Sequence, residues 1–325
     1  MGTDVPKIKM SYKCVVKLAD AYRSESRRNT LASSRVRGHW LSKYWKECDD
    51  NFYPSDYNWK GNDFFSIKTQ LDNLEPYDVI IMNKTYEAEL VKRLRERGQK
   101  VILDLCDPDW QEPYYSDKNR KRKCLETMKE VNVLVINGIE MYQSVKKMFP
   151  KKPIYIIPDR IDLDWHKPRK QIHNKELKNI CWYGYSANLV TLEPYIKDII
   201  DMGLQLTVIS DKFFENLILL GVKNPREFIS FKKWDLKTIN ELIVEQDCVF
   251  LGDKLTKWKS NNRMLTAWAL RMPVAKNIKD LKKLVNIDER IKNASQGFEM
   301  VKEKFDIKES VENYKQLIWK EWRMK

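Results

Sequence analysis

Short apolar runs alternate with helical stretches along almost the whole chain, and this alternation limits the possible folds more than any other feature. The run Asp78-Val79-Ile80-Ile81-Met82 is apolar without a polar alternate, the pattern of a strand covered on both faces. Similar strands are expected at 14–19, 100–105, 131–136 and 154–157, between helices at 34–47, 86–97, 122–130 and 139–149. Gly98 closes the second of these helices as a stop signal. A polar, proline-containing connector at 159–178 separates this series from a second one. There, strands are expected at 180–183, 205–209, 228–231, 248–251 and 273–275, and helices at 192–202, 236–246 and 262–270. Residues 280–325 read as helix with a break near Asp306. Consecutive parallel strands need crossover helices. The expected class is therefore α/β: two Rossmann-like doubly wound domains facing a cleft, with C-terminal helices. Their expected bounds are 1–160 and 161–305, with a last helix, 306–325, packing back on the first domain.

A length of 325 residues suits two such domains, and 42% hydrophobic residues are enough for two cores. Sixty Lys and Arg against 46 Asp and Glu leave a formal charge of +14, which favours polyanions such as nucleic acid, phosphorylated substrates or an anionic membrane surface. The six cysteines are scattered without CxxC spacing and are expected to be buried reduced thiols. The three histidines form no Cys/His cluster, so no metal site is expected. His39, a lone histidine, reads as structural. No apolar h-region opens the chain and no run approaches the ~18 apolar residues of a membrane span, so the expected location is the cytoplasm.

Two loops carry candidate chemistry in the second half. Lys259-Ser260-Asn261-Asn262-Arg263 lies between a strand and a helix start, where free backbone N–H groups and the helix dipole favour an anion. The plain alternative is a solvated loop. Gly184 and Tyr185 follow the strand 180–183; they permit either a close backbone approach to a ligand or a simple turn. Trp182 lies inside that strand and reads as core.

The order of elements and four local strings resemble the GT-B glycosyltransferases, in particular the retaining family four, over nearly the whole chain. Ile157-Pro158-Asp159-Arg160-Ile161-Asp162 resembles the turn that ends the family's first domain. Ile180-Cys181-Trp182-Tyr183-Gly184-Tyr185 resembles the first strand and turn of the nucleotide-sugar domain. The run from Lys259 to Arg263, continued to Pro273-Val274, resembles the donor-diphosphate loop, its helix and the following turn. Ser33-Ser34-Arg35-Val36-Arg37 resembles the start of the first helix. The chain also departs from the family. Trp258 and Thr266 stand where many members carry a pair of glutamates, Arg271 replaces a glycine, and a polar stretch at 20–31 replaces a Gly-rich loop.

The resemblance implies transfer of a sugar from a nucleotide sugar, such as UDP-glucose, to a hydroxyl, with retention and without a resident cofactor. It implies donor contacts at Gly184, Tyr185, Lys259, Ser260, Asn261, Arg263 and Thr266. On the acceptor side, Asp104, Asp107 and Asp109 cluster after a strand; Asp107 and Asp109 are the catalytic candidates, against a role in turns and caps. The metal-binding Asp-x-Asp motif, which this spacing mimics, belongs to a different glycosyltransferase fold. Arg35, Arg37, Trp110, Arg120 and Arg122 are the acceptor-binding candidates. Arg120 and Arg122 belong to the basic run from Lys118 to Lys123 beside Tyr114 and Tyr115, and Arg23, Arg27 and Arg28 add to the same charge. The leading acceptor is a hydroxymethylated base in DNA. Alternatives are lipid-linked or surface polysaccharide, reached through peripheral contact with an anionic membrane, and an inactive nucleotide- or nucleic-acid-binding protein that keeps the fold.

Overall fold

The structure is a computed structural model that describes residues 12–18, 32–51, 67–111, 118–212, 227–252, 258 and 260–324. The chain divides into two compact units, Met1–Asp159 with Ile307–Lys325, and Arg160–Asp306.

The first unit holds a parallel six-stranded sheet in the order β2-β1-β3-β4-β5-β6. Its strands are β1 (Cys14–Leu18), β2 (Cys48–Asn51), β3 (Val79–Asn83), β4 (Lys100–Leu105), β5 (Val133–Ile136) and β6 (Ile154–Ile156). β3 and β5 are buried at every residue, as continuous apolar strands must be when helices cover both faces. The order turns at β1, so the crevice between the carboxyl ends of β1 and β3 is the switch point of this sheet. The C-terminal helix Ile307–Trp322 belongs to this unit. Ile307, Val311, Tyr314 and Ile318 recur at helical spacing and are buried. Tyr314 and Ile318 join Leu41, Trp45, Ile81 and Val135 in one core cluster.

The second unit holds a parallel five-stranded sheet in the order β11-β10-β7-β8-β9. Its strands are β7 (Asn179–Tyr183), β8 (Gln205–Ser210), β9 (Ile229–Lys233), β10 (Cys248–Phe250) and β11 (Val274–Ala275). Side chains of β7 alternate between two cores: Ile180 and Trp182 enter one, Cys181 and Tyr183 the other. The order reverses between β7 and β10, and both strands end at that switch point.

Three expectations change. The 34–47 helix is an α–π–α run, with the π segment at Arg35–His39 between Ala32–Ser34 and Trp40–Tyr44. The single helix at 192–202 is instead two 3-10 turns, Ser186–Thr191 and Glu193–Tyr195, before the helix Ile196–Asp201. Pro194 removes a backbone donor there, so the α-helix starts only after it. The basic run opens the helix Lys118–Glu130, four residues earlier than the 122 start expected. All six cysteines are free and buried.

Candidate functional site

The switch point of the second unit is built from the ends of β7 and β10 and from the helix Asn262–Ala269. After β7 the chain turns at Gly184, whose N–H donates to the Ile209 carbonyl at 3.1 Å. The Ser186 N–H and hydroxyl then donate to Asp211 at 2.7 and 3.2 Å, so the turn after β7 is tied to the turn after β8. β10 runs on into Leu251 and Gly252. Gly252 has φ +68° and packs so tightly on the turn Ser186–Thr191 that a Cβ would lie 2.1 Å from the Thr191 carbonyl oxygen. Gly252→Ala is expected to destabilise this unit by about 1–3 kcal/mol through overpacking and backbone strain. A thermal melt checks this, and an unchanged midpoint would show that the two turns separate freely.

The helix Asn262–Ala269 buries Met264, Leu265, Ala267 and Ala269, and Met264 and Ala267 join the core with Cys181, Tyr183 and Val249 of the sheet, which fixes the direction of Arg263. Its first turn has no acidic side chain, and Asn261 makes no side-chain capping bond, so its amide ends and dipole favour an anion. The helix is closed by Arg271, which adopts a left-handed φ of 56° where glycine is the usual choice. The Arg271 guanidinium stacks 4.5 Å from the Phe298 ring centroid, an attraction that offsets part of the backbone cost.

Arg263 is the distinctive cation of the site. Its guanidinium lies 5.3 Å from the Trp182 ring centroid and donates to the Tyr183 carbonyl at 3.4 Å. The Tyr183 hydroxyl in turn donates to the Arg263 carbonyl. Met264 and Tyr183 share one core while Trp182 packs in the other, so the Arg263 side chain crosses the carboxyl end of β7. Gly184 leaves room for this passage: a Cβ there would lie 3.3 Å from Arg263 Nη1. Among the described residues no carboxylate pairs with Arg263, and burial pulls its pKa below the ordinary arginine value while Tyr183 opposes that shift. A desolvated guanidinium without an anion is a prepared binding position for one.

The other donor-side candidates sit nearby in sequence and differ in placement. Ser260 Oγ accepts from the Asn262 N–H at 3.4 Å, and Thr266 Oγ1 contacts Asn262 Oδ1 at 3.5 Å. Tyr185 is 61% exposed beside Gly184. Lys259 lies outside the described residues. Sequence reasoning did not find the Arg263–Trp182 contact or the Gly252–Thr191 approach.

In the first unit, Asp107 pairs with Lys84 at 2.6 Å, just beyond the ends of β4 and β3. Lys84 takes a left-handed φ of 52°, a conformation that favours glycine. Asp109 is buried, and its Oδ2 accepts from Tyr86 Oη at 2.5 Å and from Arg120 Nη2 at 2.7 Å. Trp110 is buried beside it. Arg122 is engaged by Glu126 at 2.8 Å and by Asn119 at 2.9 Å. Arg35 stacks 5.5 Å from the Trp40 ring centroid, and burial pulls its pKa down to about 10.

Arg37, an acceptor-binding candidate from the sequence, is engaged by carboxylates within the first unit. Arg37 is 3% exposed and is clamped by Asp159 at 2.6 Å and Asp104 at 3.3 Å. Burial alone lowers its pKa, but the two carboxylates outweigh it and the net shift is upward. Asp104 also accepts from the Tyr314 hydroxyl at 2.9 Å, so the charge is matched inside the core. Tyr114, Tyr115, Arg23, Arg27 and Arg28 lie outside the described residues. Among the described residues no helix is long and apolar enough to cross a membrane.

No protein-family model and no curated protein sequence matches the chain. Solved structures do. Anabaena HepE, crystallised with UDP and glucose, is similar with a TM-score of 0.67 and 10% identity, over 95% of this chain and 100% of HepE. TarM is similar with a TM-score of 0.60 and 12% identity over 77% of this chain. The pneumococcal O-GlcNAc transferase GtfA, crystallised with UDP and GlcNAc, is similar with a TM-score of 0.55 and 11% identity over 78% of this chain. The matches span 58% of TarM and 59% of GtfA. Two doubly wound parallel sheets in this order and this likeness give the chain the fold of the GT-B glycosyltransferases.

Proposed function

We propose that the protein transfers a sugar from a nucleoside-diphosphate donor, UDP-glucose or a close relative, to a hydroxyl acceptor. The observation that carries this reading is Arg263: a desolvated guanidinium without a carboxylate partner among the described residues, beside a helix start at a sheet switch point. When the C1–O bond to the diphosphate breaks, negative charge builds on the leaving phosphate. In this reading Arg263, the first-turn amides and the Ser260 hydroxyl neutralise it, with Lys259 added by its position in the sequence. The acceptor oxygen bonds to C1 as the C1–O bond to the diphosphate breaks, and its proton passes to the departing phosphate oxygen on the same face of the sugar. Asp107 is the carboxylate proposed to orient that hydroxyl, because its side chain, paired with Lys84, keeps 14% exposure whereas that of Asp109 is fully buried. HepE and GtfA, two of the similar proteins, were crystallised with UDP, which supports a uridine nucleotide here. Retention at C1 is the stereochemical reading.

The proposed acceptor is a polyanion, a hydroxymethylated base in DNA, and its support is the +14 charge. The test incubates the protein with radiolabelled UDP-glucose and other nucleotide sugars, with and without hydroxymethylcytosine DNA. Donor-dependent labelling of the DNA, weakening as salt rises, is the expected result. Donor turnover without labelled DNA overturns the acceptor alone. Absence of both hydrolysis and transfer with every donor overturns the enzyme reading and leaves a binding protein. The anomeric coupling constant of the product by NMR decides retention against inversion.

A further inference from the structure

We propose that Trp182 is a positioning residue for the donor diphosphate, acting through Arg263 and matched in shape by Gly184. This rests on the donor reading above. Trp182 is fully buried, and its indole N–H has no hydrogen-bond partner. An unpartnered buried donor costs stability, and a phenylalanine at this strand position would avoid that cost. The six-membered part of the indole does what phenylalanine cannot. Its Cη2 and Cζ2 atoms reach to 3.1 and 3.3 Å from where a Gly184 Cβ would stand, at the end of the strand. There the ring meets the Arg263 guanidinium, 5.3 Å from the ring centroid. Indole has the strongest cation-binding face of the aromatic side chains.

Arg263 is thus held from three consecutive residues of one strand end. Trp182 supplies a face, the Tyr183 carbonyl an acceptor, and Gly184 the clearance. None of the three carries a negative charge that would compete with a phosphate. An ion pair would hold the guanidinium equally well but would cancel the charge that the diphosphate needs. An aromatic face orients the cation and leaves that charge available. Trp182 itself touches no substrate.

The test compares binding of UDP and of uridine by the full chain, using ligand-observed NMR and calorimetry. Trp182→Phe is expected to weaken UDP about threefold to tenfold while leaving uridine unchanged, the size of one lost cation–π contact. Gly184→Ala serves as the second variant. Its φ is not in the left-handed range, and its methyl group requires Trp182 and Arg263 to give way by a few tenths of an ångström. It is expected to weaken UDP selectively as well. Where Trp182→Phe does not fold, Gly184→Ala decides. UDP affinity equal to the parent in the folded variants overturns the proposal. Equal weakening of UDP and uridine also overturns it, because a loss of general packing would do that. Failure of the parent to bind UDP, GDP or ADP overturns the donor reading instead, and the two failures are distinguishable.

Discussion

Arg37→Met is expected to lower the stability of the first unit by about 3–5 kcal/mol, the cost of leaving buried carboxylates without their counter-charge. The thermal midpoint is then expected to fall by roughly 10 °C for a unit of this size. Asp104 is 0% exposed, and Asp159 and Arg37 are nearly as buried, so water cannot replace the lost partner. Asp104 bonds Arg37 through Oδ1 and Tyr314 through Oδ2. Removing the guanidinium leaves two anions facing each other in the core. Arg37→Lys keeps the charge but offers a single point donor where a planar fork serves two carboxylates, so an intermediate loss is expected. Asp104→Asn retains an acceptor for Tyr314 and is expected to cost less than Arg37→Met. Because Tyr314 lies on the C-terminal helix and stacks on Trp45, near-ultraviolet circular dichroism should report the same disruption. A midpoint within about 2 °C of the parent for Arg37→Met would show that the network is incidental.

This network also shows where sequence reading stops. Arg37 sits early in a helical run, where the helix dipole disfavours a cation, a cost that a ligand anion would offset as well as a carboxylate of the chain. The acids that offset it come from positions 67 and 122 residues away, and Tyr314 meets Asp104 across 210 residues. No local pattern encodes such pairs. The central strands were legible for the opposite reason. β3 and β4 lie inside a sheet covered on both faces, so Val79–Met82 and Val101–Leu103 are continuously apolar and the signal is local. β2, with the sequence Cys48-Asp49-Asp50-Asn51, is an edge strand paired only to β1, and a polar edge strand carries no such signal. At the β7–β10 switch point, the loop and helix start were readable from Ser260 to Arg263. The way Arg263 is held was not, because it depends on Trp182 packing in one core while the helix packs with Tyr183 in the other.

Arg263→Met is expected to reduce sugar-transfer kcat/KM by about 10²- to 10³-fold, the loss seen when one preorganised donor to a developing anion is removed. UDP affinity is expected to fall by about 10- to 100-fold, the size of a lost charge-assisted hydrogen bond to phosphate. The fold should survive. The helix Asn262–Ala269 is anchored by Met264, Leu265 and Ala267 rather than by Arg263, and methionine can still cover the Trp182 face. The larger loss in kcat/KM than in UDP binding is itself informative, since charge on the leaving phosphate grows in the transition state. Arg263→Lys keeps a cation but loses the planar fork, the stacking on Trp182 and part of the reach to Tyr183, so it should recover only a fraction of the activity. Raising salt should weaken UDP binding by the parent more than by Arg263→Met, because the variant has already lost the cation that salt screens. A variant that keeps parental UDP affinity and parental kcat/KM would place the diphosphate away from the β7–β10 switch point, and with it the whole donor assignment.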